Sequence, residues 1–121
     1  MEIDELARCL EKLGNPTRLA LFRLLVKAGP EGMSVGELQS HLDIPGSTLS
    51  HHILFLVTVG LIRQFREGRT LRCKPDFDRM RAIVTALTAE CCVGVPAGKG
   101  VARSRGERNG GRNCTSRTAE V

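Results

Sequence analysis

The sequence contains no tryptophan and no tyrosine, and phenylalanine occurs only four times. Proteins that bind single-stranded nucleic acids stack bases on aromatic side chains, so this scarcity disfavours that class. No apolar run approaches the roughly 20 residues that a membrane-spanning helix needs. The acidic first five residues also lack the basic and then apolar pattern of a signal peptide. We therefore expect a soluble protein of the cytoplasm with no membrane partner.

Cysteine occurs five times, which is an odd number for a framework of disulfides. In the reducing cytoplasm, cysteine thiols more often bind metals or metalloids, sense oxidants or pack in a core. These three uses remain open for the cysteines as a group.

The chain of 121 residues is the size of one compact domain, and its net charge is +5. Most of that charge lies at the end, because residues 94–121 contain six basic and two acidic side chains. This segment is also rich in Gly, Ser and Asn. We expect one folded domain over residues 1–93, followed by a flexible basic tail over residues 94–121 that is disordered in the free protein.

Helical patterns fill the first half of the chain. Leucines at spacings of three and four predict an amphipathic helix over residues 5–13, with Asp4 as its N-cap. Asn15 and Pro16 are typical of the cap and the first residue of a second helix. Because residues 19–26 are apolar nearly all round, we expect this second helix to be the buried central one.

Two short helices joined by a tight turn follow. Ser34 and Glu37 form a capping-box pattern that begins a third helix, and Asp43–Gly46 reads as the turn. Ser47 is placed to cap a fourth helix, which runs to a left-handed Gly60. This arrangement predicts a helix-turn-helix.

Residues 61–66 and 70–74 predict two short basic strands around a turn at Gly68, in other words a β-hairpin wing. After Pro75, apolar residues at spacings of three and four predict a fifth helix with a coiled-coil-like seam. The seam residues are Phe77, Met80, Val84, Leu87 and Cys91. The expected fold class is mainly α with a small β-hairpin, a winged helix-turn-helix.

Four segments carry a resemblance to a known family: residues 15–18 (NPTR), 47–52 (STLSHH), 60–62 (GLI) and 66–69 (REGR). Over about residues 5–92 the chain resembles the ArsR/SmtB family of metal-responsive repressors. The resemblance implies a homodimer, formed through the first and last helices, that blocks a promoter until an inducer binds. Two features depart from the family: residues 36–42 contain no cysteine motif for metals, and residues 54–59 of the fourth helix are largely apolar.

A recognition helix reads the major groove of duplex DNA with its N-terminal residues. Ser47, Thr48, Ser50 and His51 are short hydrogen-bonding side chains suited to base edges and phosphates. At the wing, Arg66 and Arg69 are expected over phosphates or in the minor groove. In the competing interpretation none of these residues binds DNA. Ser47 only caps the helix, Ser50 is an ordinary exposed serine, and the wing arginines are a solvated cluster of charge.

Thiolates are soft ligands, and trivalent arsenic is thiophilic. Cys91 and Cys92 are the most informative candidates, although adjacent residues of an ideal helix project about 100° apart. Both could bind one ion only where the helix end unwinds. The resemblance extends to relatives with a vicinal cysteine pair at this point and a third cysteine downstream. It implies trivalent arsenic (As(III)) as the inducer, with Cys114 as the candidate third ligand. With Cys91 and Cys92 alone, the site would suit a two-coordinate ligand such as a methylated arsenical.

We expect Cys9 to pack in the core. Cys73, among the basic residues of the wing, should have a lowered thiol pKa, and a structural or incidental role is the favoured interpretation for it. Two other functions remain open: a repressor of the same fold that senses oxidants or persulfides, and an architectural DNA-binding protein without an inducer. No set of nucleophile, base and orienting residue suggests an enzyme, and we expect no organic cofactor.

Overall fold

A computed structural model describes residues 1–97. Its elements in chain order are α1 (Ile3–Leu13), α2 (Pro16–Ala28), β1 (Met33–Ser34), α3 (Val35–Leu42), α4 (Gly46–Thr58), β2 (Ile62–Glu67), β3 (Thr70–Pro75) and α5 (Phe77–Thr88). One compact unit spans Met1–Ala86, and a second begins at Leu87. Within the described range no helix is long and apolar enough to cross a membrane. The predicted fold class, mainly α with a small hairpin, is confirmed. The predicted domain boundary after residue 93 stays a prediction, and residues 98–121 of the predicted tail lie outside the described range.

Two helix starts are those that the sequence predicts. The side chain of Asn15 accepts hydrogen bonds from the backbone N–H groups of Thr17 and Arg18, which caps α2. Ser34 and Glu37 exchange hydrogen bonds in a complete capping box at the start of α3. These contacts satisfy N–H groups that have no partner inside the helix.

Two predicted caps are wrong. Helix α1 begins at Ile3 with Glu2 as its N-cap residue, so Asp4 lies in the first turn. A carboxylate at that position is stabilised by the positive end of the helix dipole. Helix α4 begins at Gly46 after Pro45, whose backbone is extended and whose side chain cannot accept a hydrogen bond. Ser47 is therefore inside the first turn of α4 and does not cap it.

The wing is part of a three-stranded antiparallel sheet in the order β1-β3-β2. Strands β2 and β3 form the predicted hairpin, with Gln64 opposite Cys73 and Glu67 opposite Thr70. The sequence did not predict β1, which contributes Met33 opposite Cys73 on the other edge of β3. The extra strand anchors the base of the wing to the segment before α3.

The core of the first unit collects apolar side chains from both helices and sheet. Its buried members are Leu6, Cys9, Leu21, Phe22, Leu25, Leu38, Leu49, Ile53, Leu56, Val59, Leu61, Ile62, Cys73 and Ile83. Helix α2 supplies three of them, but Leu19 is exposed, so one side of the expected central helix faces solvent.

The fifth helix is shorter than predicted, because it ends at Thr88. Glu90 and Cys92 have left-handed backbones, with φ of 58° and 64°, which is incompatible with a continued α-helix. Cys91 is consequently in a turn and is not the last member of a helical seam. The turn is closed by the backbone N–H of Cys91, which donates to the carbonyl oxygen of Thr88 at 3.1 Å.

Candidate nucleic-acid interface and cysteine pair

Helix α4 has one exposed and one buried face. The buried face consists of Leu49, Ile53 and Leu56. All four residues that the sequence proposes for DNA contact are exposed: Ser47, Thr48, Ser50 and His51. The later apolar residues divide between the two faces, because Val59 is buried while Leu54 and Phe55 are exposed. The apolar run therefore serves the core at some positions and leaves others at the surface.

Arg18 of α2 contacts both α1 and α4. Its Nε–H donates to the carbonyl oxygen of Lys12 at 2.6 Å, and its terminal N–H group lies 3.4 Å from Nδ1 of His52. Since arginine can only donate, Nδ1 of His52 is the acceptor. The Phe55 ring lies 4.7 Å from the Arg18 guanidinium and 4.6 Å from Nζ of Lys12, so two cations contact its π-system.

His52 is half-buried and contacts Arg18 of α2, whereas the four candidate DNA residues are exposed. Burial lowers the pKa of His52, and the charges of Arg18 and His51 lower it further. The neutral imidazole is thus favoured where it accepts the hydrogen bond from Arg18. The sequence did not reveal this role for Arg18, because its partners are distant along the chain.

The wing has five basic residues, and three of them contact other side chains of the protein: Arg63, Arg72 and Lys74. Arg63 forms an ion pair with Asp76 at 3.2 Å, and Arg72 forms one with Glu67 at 3.0 Å. Arg72 also donates to the carbonyl oxygens of Glu31 and Gly32, so its role is structural. Lys74 lies over the Phe65 ring at 5.2 Å.

Arg66 on β2 and Arg69 in the turn are exposed at the tip of the hairpin. Within residues 1–97 neither one forms an ion pair. Their charges are therefore available for phosphates, which is the role that the sequence proposes for them.

A groove of about 610 Å³ runs between α4 and the wing. Ser50 and Leu54 line it from the helix, and Gln64 and Arg69 line it from the hairpin. Ser34, which caps α3, lies at the same groove. The structure thus brings a candidate base-reading residue and a candidate phosphate-binding residue to one surface, although they are 19 positions apart in the sequence.

Cys91 and Cys92 lie beyond α5 with their Sγ atoms 3.4 Å apart. Cys91 is a free thiol, whereas the sulfur of Cys92 is in a disulfide in this structure. Both side chains are exposed. Cys92 has a left-handed backbone, so the pair does not have the geometry of adjacent residues on an ideal helix. Residues 1–97 hold no group of three or more His, Cys, Asp or Glu side chains that could bind a metal ion. Cys114, the predicted third ligand, lies outside the described residues.

The other two cysteines are in the core. Cys9 is fully buried, and its Sγ contacts the carbonyl oxygen of Val59 at 3.7 Å. Burial raises the pKa of the Cys73 thiol, so the predicted lowering is wrong. The basic neighbours of Cys73 in the sequence, Arg72 and Lys74, are half-buried, whereas Cys73 itself is fully buried in the apolar core.

The sequence and the fold of this chain are similar to those of known DNA-binding regulators. Residues 13–64 match the family described as a helix-turn-helix domain. A biofilm growth-associated repressor from Agrobacterium fabrum is 33% identical over 88 residues, which are 73% of this chain and 73% of that protein. A solved ArsR family transcriptional regulator is 30% identical, with a TM-score of 0.63, over 74% of this chain and 89% of the other. The chain belongs to the ArsR family.

Two further solved structures are similar to this ArsR-family chain. A possible transcriptional regulator for arsenical resistance is 26% identical with a TM-score of 0.56, over 66% of this chain and 83% of the other. A homodimeric winged helix-turn-helix domain from Mycobacterium bovis is 25% identical with a TM-score of 0.58, over 73% and 82%. This chain is accordingly a DNA-binding transcriptional regulator, with α3 and α4 as the helix-turn-helix and β2 and β3 as the wing.

Proposed function

We propose that this ArsR-family regulator is a metalloid-responsive repressor of the cytoplasm. In this proposal a homodimer binds promoter DNA and releases it when trivalent arsenic, or a related antimony species, binds the thiolates of Cys91 and Cys92. Cys114 is the proposed third ligand. The observation that carries the proposal is the distance of 3.4 Å between the two Sγ atoms.

The distance between the sulfur atoms suits a single thiophilic centre. Cys92 must first be reduced, because its sulfur is in a disulfide in this structure. At the observed separation, bonds of about 2.3 Å, the length of a metal–thiolate bond, would then reach both sulfurs at an angle of roughly 95°. Such an angle fits a pyramidal centre with a lone pair better than a tetrahedral ion. Zinc is disfavoured further because a closed zinc site needs four ligands, and the described residues offer two here.

The local backbone supports the same site. Left-handed residues other than glycine are uncommon, and Glu90 and Cys92 flank Cys91 with this conformation. The turn brings adjacent side chains together at the end of α5. The structural similarity to a possible regulator for arsenical resistance also favours arsenic as the inducer.

The proposed DNA surface consists of the exposed face of α4 and the tip of the wing. Ser47, Thr48, Ser50 and His51 would contact bases or phosphates, and Arg66 and Arg69 would neutralise phosphates. The groove that Ser50 and Arg69 share supports this assignment. Repression is supported by the similarity to a repressor from Agrobacterium fabrum.

The proposed dimer uses the first and last helices. Ile3 and Leu10 lie two turns apart on α1 and are exposed, as are Val84 and Leu87 on α5. Exposed apolar residues on one helix face are typical of an interface between subunits. A similar chain from Mycobacterium bovis is homodimeric.

Release of DNA is proposed to be a population shift. Binding at the end of α5 would favour a dimer geometry whose two α4 helices no longer match successive major grooves. Since coupling between two ligands is reciprocal, DNA must weaken arsenic binding by the same factor by which arsenic weakens DNA binding.

The test is a titration of arsenite into the reduced protein bound to fluorescent DNA from its own promoter. Zn²⁺ and a persulfide donor are titrated in parallel. We expect release by arsenite, loss of release in Cys91→Ser and Cys92→Ser, and intact release in Cys73→Ala, whose thiol is buried. Cys114→Ser decides between three ligands and two.

Two results would contradict the arsenic assignment. Release by the persulfide donor alone would establish a thiol redox sensor, which the short distance between the two Sγ atoms also favours. Binding that no additive changes would leave an architectural DNA-binding protein.

A further inference from the structure

The reading face of α4 contains an apolar side chain that the proposed DNA contacts do not use. Ser47, Ser50, His51 and Leu54 follow the spacing i, i+3, i+4 and i+7, which places them on one side of the helix. Leu54 is 59% exposed, whereas its neighbour Ile53 is buried. Full burial of a leucine stabilises a fold substantially, so the exposed Leu54 contributes little to the core.

The surroundings of Leu54 indicate what covers it. It lines the same groove as Ser50 on its own helix and Arg69 on the wing, so it lies inside the proposed DNA surface. Among residues 1–97, no acidic side chain lines this groove. On the hairpin side of the groove, Leu71 is apolar, but Gln64, Arg69 and Thr70 are polar or cationic. An apolar protein partner would leave these polar groups without partners, whereas duplex DNA offers phosphates that complement them.

The major groove of DNA offers one apolar group at its base edges, the C5 methyl of thymine. Leucine forms no side-chain hydrogen bond, so it cannot read the donors and acceptors of the other bases. A helix that lies in the major groove presents residues with the spacing found here to successive base pairs.

We propose that Leu54 is a specificity-determining residue that contacts a thymine methyl in each half of the operator. The inference rests on the proposed placement of α4 in the major groove. It adds a sequence preference that the polar residues of α4 do not supply, namely discrimination between thymine and a base without the methyl group.

The experiment replaces each thymine of the operator, one at a time, by deoxyuridine, which lacks only the C5 methyl. The probe is a fluorescent duplex of roughly 30 base pairs from the promoter of the protein, long enough for two half-sites about one helical turn apart. Binding is measured by anisotropy for the wild type and for Leu54→Ala. Leu19→Ala is the matched control, because Leu19 is an exposed leucine of α2.

We expect one thymine per half-site at which deoxyuridine weakens wild-type binding about fourfold, the effect of removing one buried methyl. Leu19→Ala should show the same loss at the same position, and Leu54→Ala should show none there. Identical deoxyuridine profiles for Leu54→Ala and the wild type would overturn the inference while leaving the DNA surface intact. A wild type that binds its promoter no better than unrelated duplexes would overturn the proposed function and the inference together.

Discussion

Arg79 of α5 donates its Nε–H to the backbone carbonyl oxygen of Val59 at 2.9 Å, and Val59 is the C-cap residue that directly follows α4. The same guanidinium forms an ion pair with Glu5 of α1 at 2.6 Å. One side chain therefore joins the first helix, the last helix and the end of the helix proposed to read DNA. Hydrogen bonding to Arg79 lowers the pKa of Glu5, and the charge of Arg79 lowers it further.

Arg79→Gln should lower the stability of the folded domain. The variant loses the charged donor to the Val59 carbonyl, a contact that contributes about 1 kcal/mol, and Tm should fall by about 5 °C. Arg81→Gln is the control, because Arg81 pairs with Asp78 of the same helix at an exposed position, where an ion pair contributes little. Equal shifts in Tm for the two variants would contradict the structural role of Arg79.

Local sequence signals predicted most elements of the fold. Asn15, Ser34 and Glu37 act through hydrogen bonds to residues within three positions, so their patterns are readable without tertiary structure. The hairpin turn depends on Gly68, which has a φ of 63°. The same local logic predicted that the cysteine pair would need an unwound helix end.

The remaining features depend on partners that are distant in the chain. Strand β1 is only two residues long and exists because Met33 pairs with Cys73. The pKa of Cys73 was predicted in the wrong direction because its neighbours in sequence are basic, whereas its neighbours in space are apolar. Leu54 and Phe55 were apolar residues without an assignment, since only the packing of α4 shows which face of the helix each one occupies.

Gly32 should be essential for the attachment of β1 to the wing. It has a φ of 68°, and a Cβ atom there would collide with the backbone carbonyl of Cys73. We expect Gly32→Ala to lower the free energy of unfolding by about 3 kcal/mol or more, because strain and a clash with rigid backbone act together.

Gly29→Ala separates these two causes. Gly29 has a φ of 93° and a ψ of −167°, a region that essentially only glycine adopts, but its Cβ position is open, so only the backbone strain of about 1–3 kcal/mol applies. Urea unfolding of the two variants measures the difference. Similar losses at the two positions would show that the contact with β3 has no effect of its own.

Arg69→Ala should weaken binding to all DNA sequences and flatten the dependence of affinity on salt. Each phosphate contact that is lost lowers the slope of log affinity against log salt concentration by about 0.9. Arg81→Gln is the control and should leave the slope unchanged, because the charge of Arg81 in the wild type is balanced by Asp78 at 2.6 Å. An unchanged slope for Arg69→Ala would remove Arg69 from the phosphate contacts.

His52 should make the stability of the domain depend on pH in the weakly acidic range. Burial lowers its pKa in the folded state below the ordinary value of 6.5, so the unfolded chain takes up the proton first as the pH falls. Stability is then greatest above about pH 6.5 and declines as the pH falls toward the folded-state pKa. Protonation of His52 would also place two positive charges side by side, the imidazolium and the Arg18 guanidinium. In addition, Nδ1 could no longer accept the hydrogen bond from Arg18.

His52→Gln keeps an acceptor for Arg18 but cannot titrate. We expect the difference in Tm between about pH 7.5 and about pH 5.5, a range that spans the ordinary pKa of histidine, to be smaller in this variant than in the wild type. His51→Gln is the neighbouring control, because His51 is exposed whereas His52 is half-buried. If His51→Gln reduced the difference in Tm as much as His52→Gln does, the titration would belong to the exposed face of α4. The contact between Arg18 and His52 would then have no part in it.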